Sequence, residues 1–241
     1  MRELRSLEVG AYFRAIPLYL RNPQIALAPF VTALIGTLLL LVLSPSGSFG
    51  AVGGGIGSLI VSLLDGFGLG VAVIAADGAW RYGRTSFETA WEEGRRKLGD
   101  IVLAALGYNF VLWIAGIVGG LLGQAAGLIL TAVAAYFFIY AIPAAAIGGI
   151  PGGAALSVSL ERVKRSYANT LLLVIAYVLV YALVPAFWGV VATPLVQNVT
   201  FVSPNVLSEL ALAFVKAICA GYVALVMAKA YSSVSFGRYW G

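Results

Sequence analysis

The chain reads as an all-α polytopic membrane protein: a transmembrane helical bundle of six spans in three hairpins, each preceded by a cytoplasmic amphipathic helix. Three observations predict this class. Of 241 residues, 61% are hydrophobic and 10% charged, well outside the composition of a soluble globular domain. Six apolar stretches, 24–43, 54–77, 101–119, 122–142, 170–192 and 208–229, are each long enough to cross about 30 Å of hydrocarbon at roughly 20 residues per crossing. Finally, fourteen of the fifteen Lys and Arg residues fall in alternate connections, on one side of such a bundle. The positive-inside rule makes that side cytoplasmic, so both termini of a multi-pass cell-membrane protein are expected there.

The N-terminus, Met1, Arg2, Glu3, lacks the short apolar core and cleavage site of a secretory signal, so insertion is expected to rely on the first span. Leu7, Phe13, Ile16 and Leu20 give the preceding segment a lipid-side face, although Pro17 interrupts it with a kink. Arg14, Arg21 and Asn22 then lead into Pro23 and the first span. The outer connection that begins SPSGSFGAVGGG is flexible by composition. The second span carries Asp65, an ionisable group within an apolar run, followed by alternating Gly66, Gly68 and Gly70. Such glycines mark either a helix break that coordinates an ion or a face for close helix packing. Gly116 with Gly120, and Gly119 with Gly123 and Gly127, repeat the four-residue spacing further on. Asp77 pairs with Arg81 four residues later at the inner end.

Residues 85–100, TSFETAWEEGRRKLGD, form the clearest amphipathic helix. Thr85 with Glu88 has capping-box spacing. Phe87, Ala90, Trp91, Gly94 and Leu98 share one face, while Glu92 with Arg96 and Glu93 with Lys97 pair on the other. Asp100 is then expected to cap the third span. A second copy follows the fourth span: Leu156, Leu160, Val163 and Tyr167 make the apolar face, Glu161 pairs with Arg165, and Asn169 takes the cap position. Setting Asp100 on Asn169 also sets Glu92 on Glu161, Arg95 on Lys164 and Arg96 on Arg165. The whole chain, 1–241, therefore reads as one membrane domain with a possible threefold hairpin repeat, 1–53, 78–121 and 143–207 onward.

The outer connection after the fifth span contains a sequon at Asn198, a pattern common by chance. The sixth span carries Lys216, at a depth comparable to Asp65, and the single cysteine, Cys219. A lone charge in hydrocarbon costs several kcal/mol, so Asp65 and Lys216 are expected either to lock two spans together as an ion pair or to form a transport site. Aromatic residues near the predicted boundaries, among them Trp80, Tyr108, Tyr140 and Tyr231, read as interfacial anchors.

With no histidine, one apolar-flanked cysteine and hydroxyls that lack a base, neither catalytic residues nor a metal site is expected, and no cofactor. The net charge of +5 is no argument for nucleic acid. Its clusters, Arg95, Arg96, Lys97 and Arg162, Lys164, Arg165, sit beside apolar spans, where anionic lipid headgroups are the nearer partner.

The segment IAADGAWRYGRTSFETAWEEGRRKLGD and, later, AIPAAAIGGIPGGAALSVSLERVKRSYANT resemble uncharacterised six-span membrane families related to the membrane domain of glycerophosphodiester phosphodiesterases. The resemblance covers residues 7 to about 190 and rests on the Gly- and Ala-rich helix, the basic residues and the cap before a span. It implies the six-span architecture and carries over no catalytic residue, because the phosphodiesterase chemistry belongs to a separate soluble barrel. The function expected is a non-enzymatic scaffold or accessory subunit that binds membrane lipids and a protein partner or a second copy of itself. The alternative is a small transporter or channel centred on Asp65, Gly66 to Gly70 and Lys216.

Overall fold

The computed structural model describes residues 9–43, 48–184, 186–187, 189–190 and 204–233. Every element among these residues is helical, and five helices are long and apolar enough to cross a membrane, the architecture of a multi-pass membrane protein. α1 (Val9–Arg21) runs through Pro17 and is joined by a 3-10 turn, Pro23–Ala26, to α2 (Leu27–Leu43). α3 (Ser48–Tyr82) precedes the short α4 (Phe87–Arg96), and α5 (Leu98–Leu122) turns at Gly123 into α6 (Gln124–Phe138). There φ is +122°, a conformation open to glycine alone. After α7 (Ala141–Ala146) and a 3-10 turn, Gly152–Ala154, come α8 (Ala155–Arg165), α9 (Tyr167–Val178) and α10 (Pro204–Ser233).

The expected spans at 24–43, 54–77, 101–119, 122–142 and 208–229 each fall on one of the five long apolar segments. The stretch 170–192, part of which lies outside the described residues, matches none of the five. α9 has twelve residues and passes into a π-helical turn, Leu179–Leu183. The outer connection expected as a flexible linker at 44–53 is in part helical, since α3 already begins at Ser48; residues 44–47, the sequon at Asn198 and Leu7 lie outside the described residues.

Neighbouring helices close a ring: α2 touches α3, α3 touches α5, α5 touches α6, α6 touches α9, α9 touches α10, and α10 returns to α2. α3 also meets α10 across the ring. The core lies toward the end that carries α1, α4 and α8, and it is rich in alanine: Ala72, Ala75, Ala76, Ala79, Ala144, Ala145, Ala224 and Ala228 are all buried. Small side chains let backbones approach, which is how helices gain contact where lipid offers no hydrophobic contrast.

Helix starts depart from the expected caps. Thr85 and Glu88 make no capping box, since α4 begins at Phe87 with Ser86 as an N-cap whose side chain makes no cap bond. Thr85 is held outside the helix by Asn22, whose Oδ1 accepts its N–H at 3.1 Å. Asp100 stands within the first turn of α5 rather than at its cap, because its carboxylate accepts the N–H of Gly152 at 3.0 Å. Likewise, Asn169 lies inside the first turn of α9, whose N-cap is Ser166.

Candidate functional site

Asp65 on α3 and Lys216 on α10 border one cavity of about 30 Å³, completed by Pro29, Thr32 and Ala33 of α2 and by Ala217 and Ala220. Both charged residues are exposed at the rim of this groove. Lys216 is an electrostatic neighbour of Asp65, but no direct ion pair within 4.0 Å joins them. The cavity has room for about one water molecule.

Tyr108, expected as an interfacial aromatic, and Tyr177, absent from the sequence expectation, belong to the same level. Tyr177 of α9 is a second electrostatic neighbour of Asp65 and is itself close to Tyr108 of α5. The two tyrosines line a central gap of about 20 Å³ with Leu69, Phe138, Ile139, Ile142 and Met227. A signal for them existed: the offset that sets Asp100 on Asn169 also sets Tyr108 on Tyr177.

The glycines after Asp65 serve packing, and α3 is unbroken through them. A Cβ on Gly66 would collide with the Ala105 methyl of α5, one on Gly68 with the Thr32 hydroxyl of α2, and one on Gly70 would stand 2.6 Å from the Ile101 side chain. α3 is thereby wedged between α2 and α5 at the level of the charges. At the far end, Gly119 and Gly127 bring α5 and α6 into backbone contact.

The basic residues divide into two groups. Arg95, Arg96, Lys164 and Arg165 are exposed on the outward faces of α4 and α8. The expected helical pairs form, with Arg81 2.7 Å from Asp77, Lys97 2.7 Å from Glu93, Arg96 3.8 Å from Glu92 and Arg165 3.9 Å from Glu161. Lys97 and Arg162 are not free for headgroups as expected. The Lys97 ammonium also donates to the Ala146 carbonyl at 2.8 Å. Arg162 is buried, donates through Nη1 to the Tyr231 carbonyl, and sits 3.4 Å above the Tyr231 ring. Burial pushes its guanidinium below the ordinary value, opposed by Tyr231.

Tyr140 and Tyr231 are likewise core residues rather than interfacial anchors, and the Trp80 indole N–H donates to the Leu225 carbonyl at 2.9 Å. The apolar face expected for α8 is rotated. Ala155, Ser159, Arg162 and Val163 are buried, whereas Tyr167 is exposed.

Three side-chain clasps result. Asn22 Nδ2, after α1, donates to the Gly83 carbonyl just beyond α3 at 3.2 Å, and Gln24 donates to the Thr85 carbonyl. Lys97, after α4, reaches the end of α7, while Arg162 in the last turn of α8 reaches the end of α10. Each side-chain donor satisfies a carbonyl near a helix C-terminus, a group the helix itself leaves open. All three contacts lie at the charged end and tie helices distant in the chain to one another. No protein-family model, curated protein or solved structure matches the chain.

Proposed function

We propose that the chain is a non-catalytic integral membrane scaffold or accessory subunit. It crosses the cell membrane six times, with both termini cytoplasmic and α1, α4 and α8 at the inner leaflet. Exposed Arg95, Arg96, Lys164 and Arg165 attract anionic headgroups there, each worth about 1 kcal/mol at the surface. Phe13, Ile16 and Leu20, exposed on one side of α1, are the apolar counterpart that enters the leaflet. The relation to the membrane domain of glycerophosphodiester phosphodiesterases, on this reading, is one of architecture.

The observation that carries the reading is the size of the cavity at Asp65 and Lys216. At about 30 Å³ it suits a bridging water and lies far below the several hundred cubic ångströms of a ligand pocket. The charge pair then acts as a lock between α3 and α10. A transporter remains the second reading, because the two opposite charges do border a common cavity beside α2. Purification in mild detergent followed by native mass spectrometry tests the choice. A protein partner or second copy in fixed stoichiometry, with retained anionic lipid, is expected. A lone chain that moves a solute in liposomes, with flux lost in Asp65→Asn, overturns the scaffold.

A further inference from the structure

A cavity of about 480 Å³ opens at the charged end, where the last turns of α3 face the start of α4. That volume falls within the roughly 300–1,000 Å³ of small-molecule pockets, whereas the space beside Asp65 is about 30 Å³. Ile74 of α3 and Ile147, just beyond α7, give it apolar walls. The connection between α3 and α4 forms its rim and is fixed from the opposite side. Asn22 donates to the Gly83 carbonyl at 3.2 Å and accepts the Thr85 N–H at 3.1 Å, and Gln24 donates to the Thr85 carbonyl. A backbone held in this way presents Arg84 and Ser86 to the cavity already in place, which lowers the ordering cost of binding.

The charges around the cavity do not cancel. Its two carboxylates are already answered: Asp77 lies 2.7 Å from Arg81 and accepts from the Ser232 hydroxyl at 3.4 Å, and Glu93 lies 2.7 Å from Lys97. Arg84 is exposed and makes no ion pair among the described residues. Three cations against two carboxylates leave one positive charge. Beside it stand hydroxyls able to donate, that of Ser86, which makes no cap bond, and that of Thr89 three residues on. A guanidinium fork with separately placed hydroxyls matches the tetrahedral oxygens of a phosphate, which accept donors from several directions.

We propose that this cavity is a phosphate-binding site, with Arg84 as the cation and Ser86 and Thr89 as hydroxyl donors. The group it takes is the phosphate of a membrane lipid headgroup or a free phosphate, and the same atoms serve either source. None of the arginines and lysines that the scaffold reading assigns to headgroups lines this cavity. The inference goes beyond that reading and is measured on the isolated chain, so the absence of a protein partner does not bear on it.

The test is a titration of the detergent-purified full chain at constant ionic strength with two probes, dihexanoyl phosphatidylglycerol and inorganic phosphate, followed by native mass spectrometry. Saturable binding of at least one probe is expected, weakened at least about tenfold in Arg84→Met and in the double variant Ser86→Ala, Thr89→Val, since both remove bonds to a charged acceptor. Arg14→Met, which removes an exposed arginine of α1 outside the cavity, should change the affinity less than twofold. Binding of the lipid alone assigns the site to a headgroup, and comparable binding of inorganic phosphate assigns it to the free ion. Neither probe binding saturably, an unchanged affinity in the double variant, or equal losses in Arg14→Met and Arg84→Met overturns the proposal. The double variant retains every charge, so it separates a built site from attraction to a basic surface.

Discussion

α3 passes between two packing regimes along its own length. Val71 to Ala76 are buried without exception, while Leu59 and Ile60, about three turns away, are exposed. α5 does the same in the opposite direction: Ile101, Ala104 and Ala105 are buried, whereas Phe110, Trp113, Leu121 and Leu122 face outward. At the charged end, alanines and glycines bring backbones together, and side chains that reach across junctions close the open carbonyls. At the far end, large aliphatic and aromatic side chains point away from the bundle, and glycine contacts among the described residues are fewer, Gly36 of α2 against Val61 of α3 and Gly119 with Gly127 at the turn between α5 and α6. The difference locates the determinants of the fold. The charged end is specified by protein against protein, and the far end by protein against its surroundings, where shape matters less.

The sharpest way to break that contrast is to add volume at each end. Gly70→Leu drives a side chain into Ile101 between α3 and α5. A loss above ~3 kcal/mol, seen as failure to recover monodisperse protein, is expected for such overpacking. Gly120→Ala, where a Cβ meets nothing within 4 Å, should leave thermal unfolding in mild detergent unchanged or slightly raised, since alanine is the better helix former.

Next in size is the third clasp. Arg162→Met removes a buried charge-assisted hydrogen bond and a cation–π contact, leaving the Tyr231 carbonyl without that donor. Destabilisation of about 3 kcal/mol is expected in the same assay. Arg165→Met, one residue on the exposed side of the same helix end, should change stability by less than about 0.5 kcal/mol. Equal effects of the two would mean that the charged end is not clasped.

These residues also mark what the sequence disclosed. The long apolar runs and the helical pairs of α3, α4 and α8 were legible because hydropathy and four-residue spacing are local properties. The caps were misread for a definite reason: Thr85, Asp100 and Asn169 have the right chemistry for a helix start, but Asn22 and Gly152, distant in the chain, compete for the first two. Arg162 looked like a member of a basic cluster, and only the helix phase, turned to bury Ser159 and Val163, reveals it as a core residue. The small cavity beside Asp65 was beyond reach of pattern, because its walls come from α2, α3 and α10. Tyr177 was within reach through the repeat register, which sets it on Tyr108, itself read from its place near a boundary as an anchor.

Asp65 and Lys216 lie between the two regimes, and a double-mutant cycle of Asp65→Asn with Lys216→Met measures which one governs them. A water-bridged lock predicts a coupling of about 1 kcal/mol, within the range found for neighbouring groups. The charge reversal pair Asp65→Lys with Lys216→Asp should recover part of the loss. Zero coupling would assign both charges to the surroundings and remove the lock between α3 and α10.

The smallest effects are expected at the far end, where they separate the two regimes most cleanly. Leu121→Ala and Trp113→Leu alter side chains that are 83% and 64% exposed. Neither vacates a cavity, so each should shift unfolding by no more than about 0.5 kcal/mol. Leu173→Ala, a truncation of similar chemistry at a fully buried position on α9, should cost about 2–5 kcal/mol. The comparison is best made in detergent and again in bilayers. In detergent, micelles adapt to the trimmed surface. In bilayers, the Trp113 change also alters how the far end meets the lipid boundary, so a shift confined to bilayers would show that this end is positioned by its surroundings. A large effect of Leu121→Ala in detergent would instead place a packed interface at the far end and erase the division between the two.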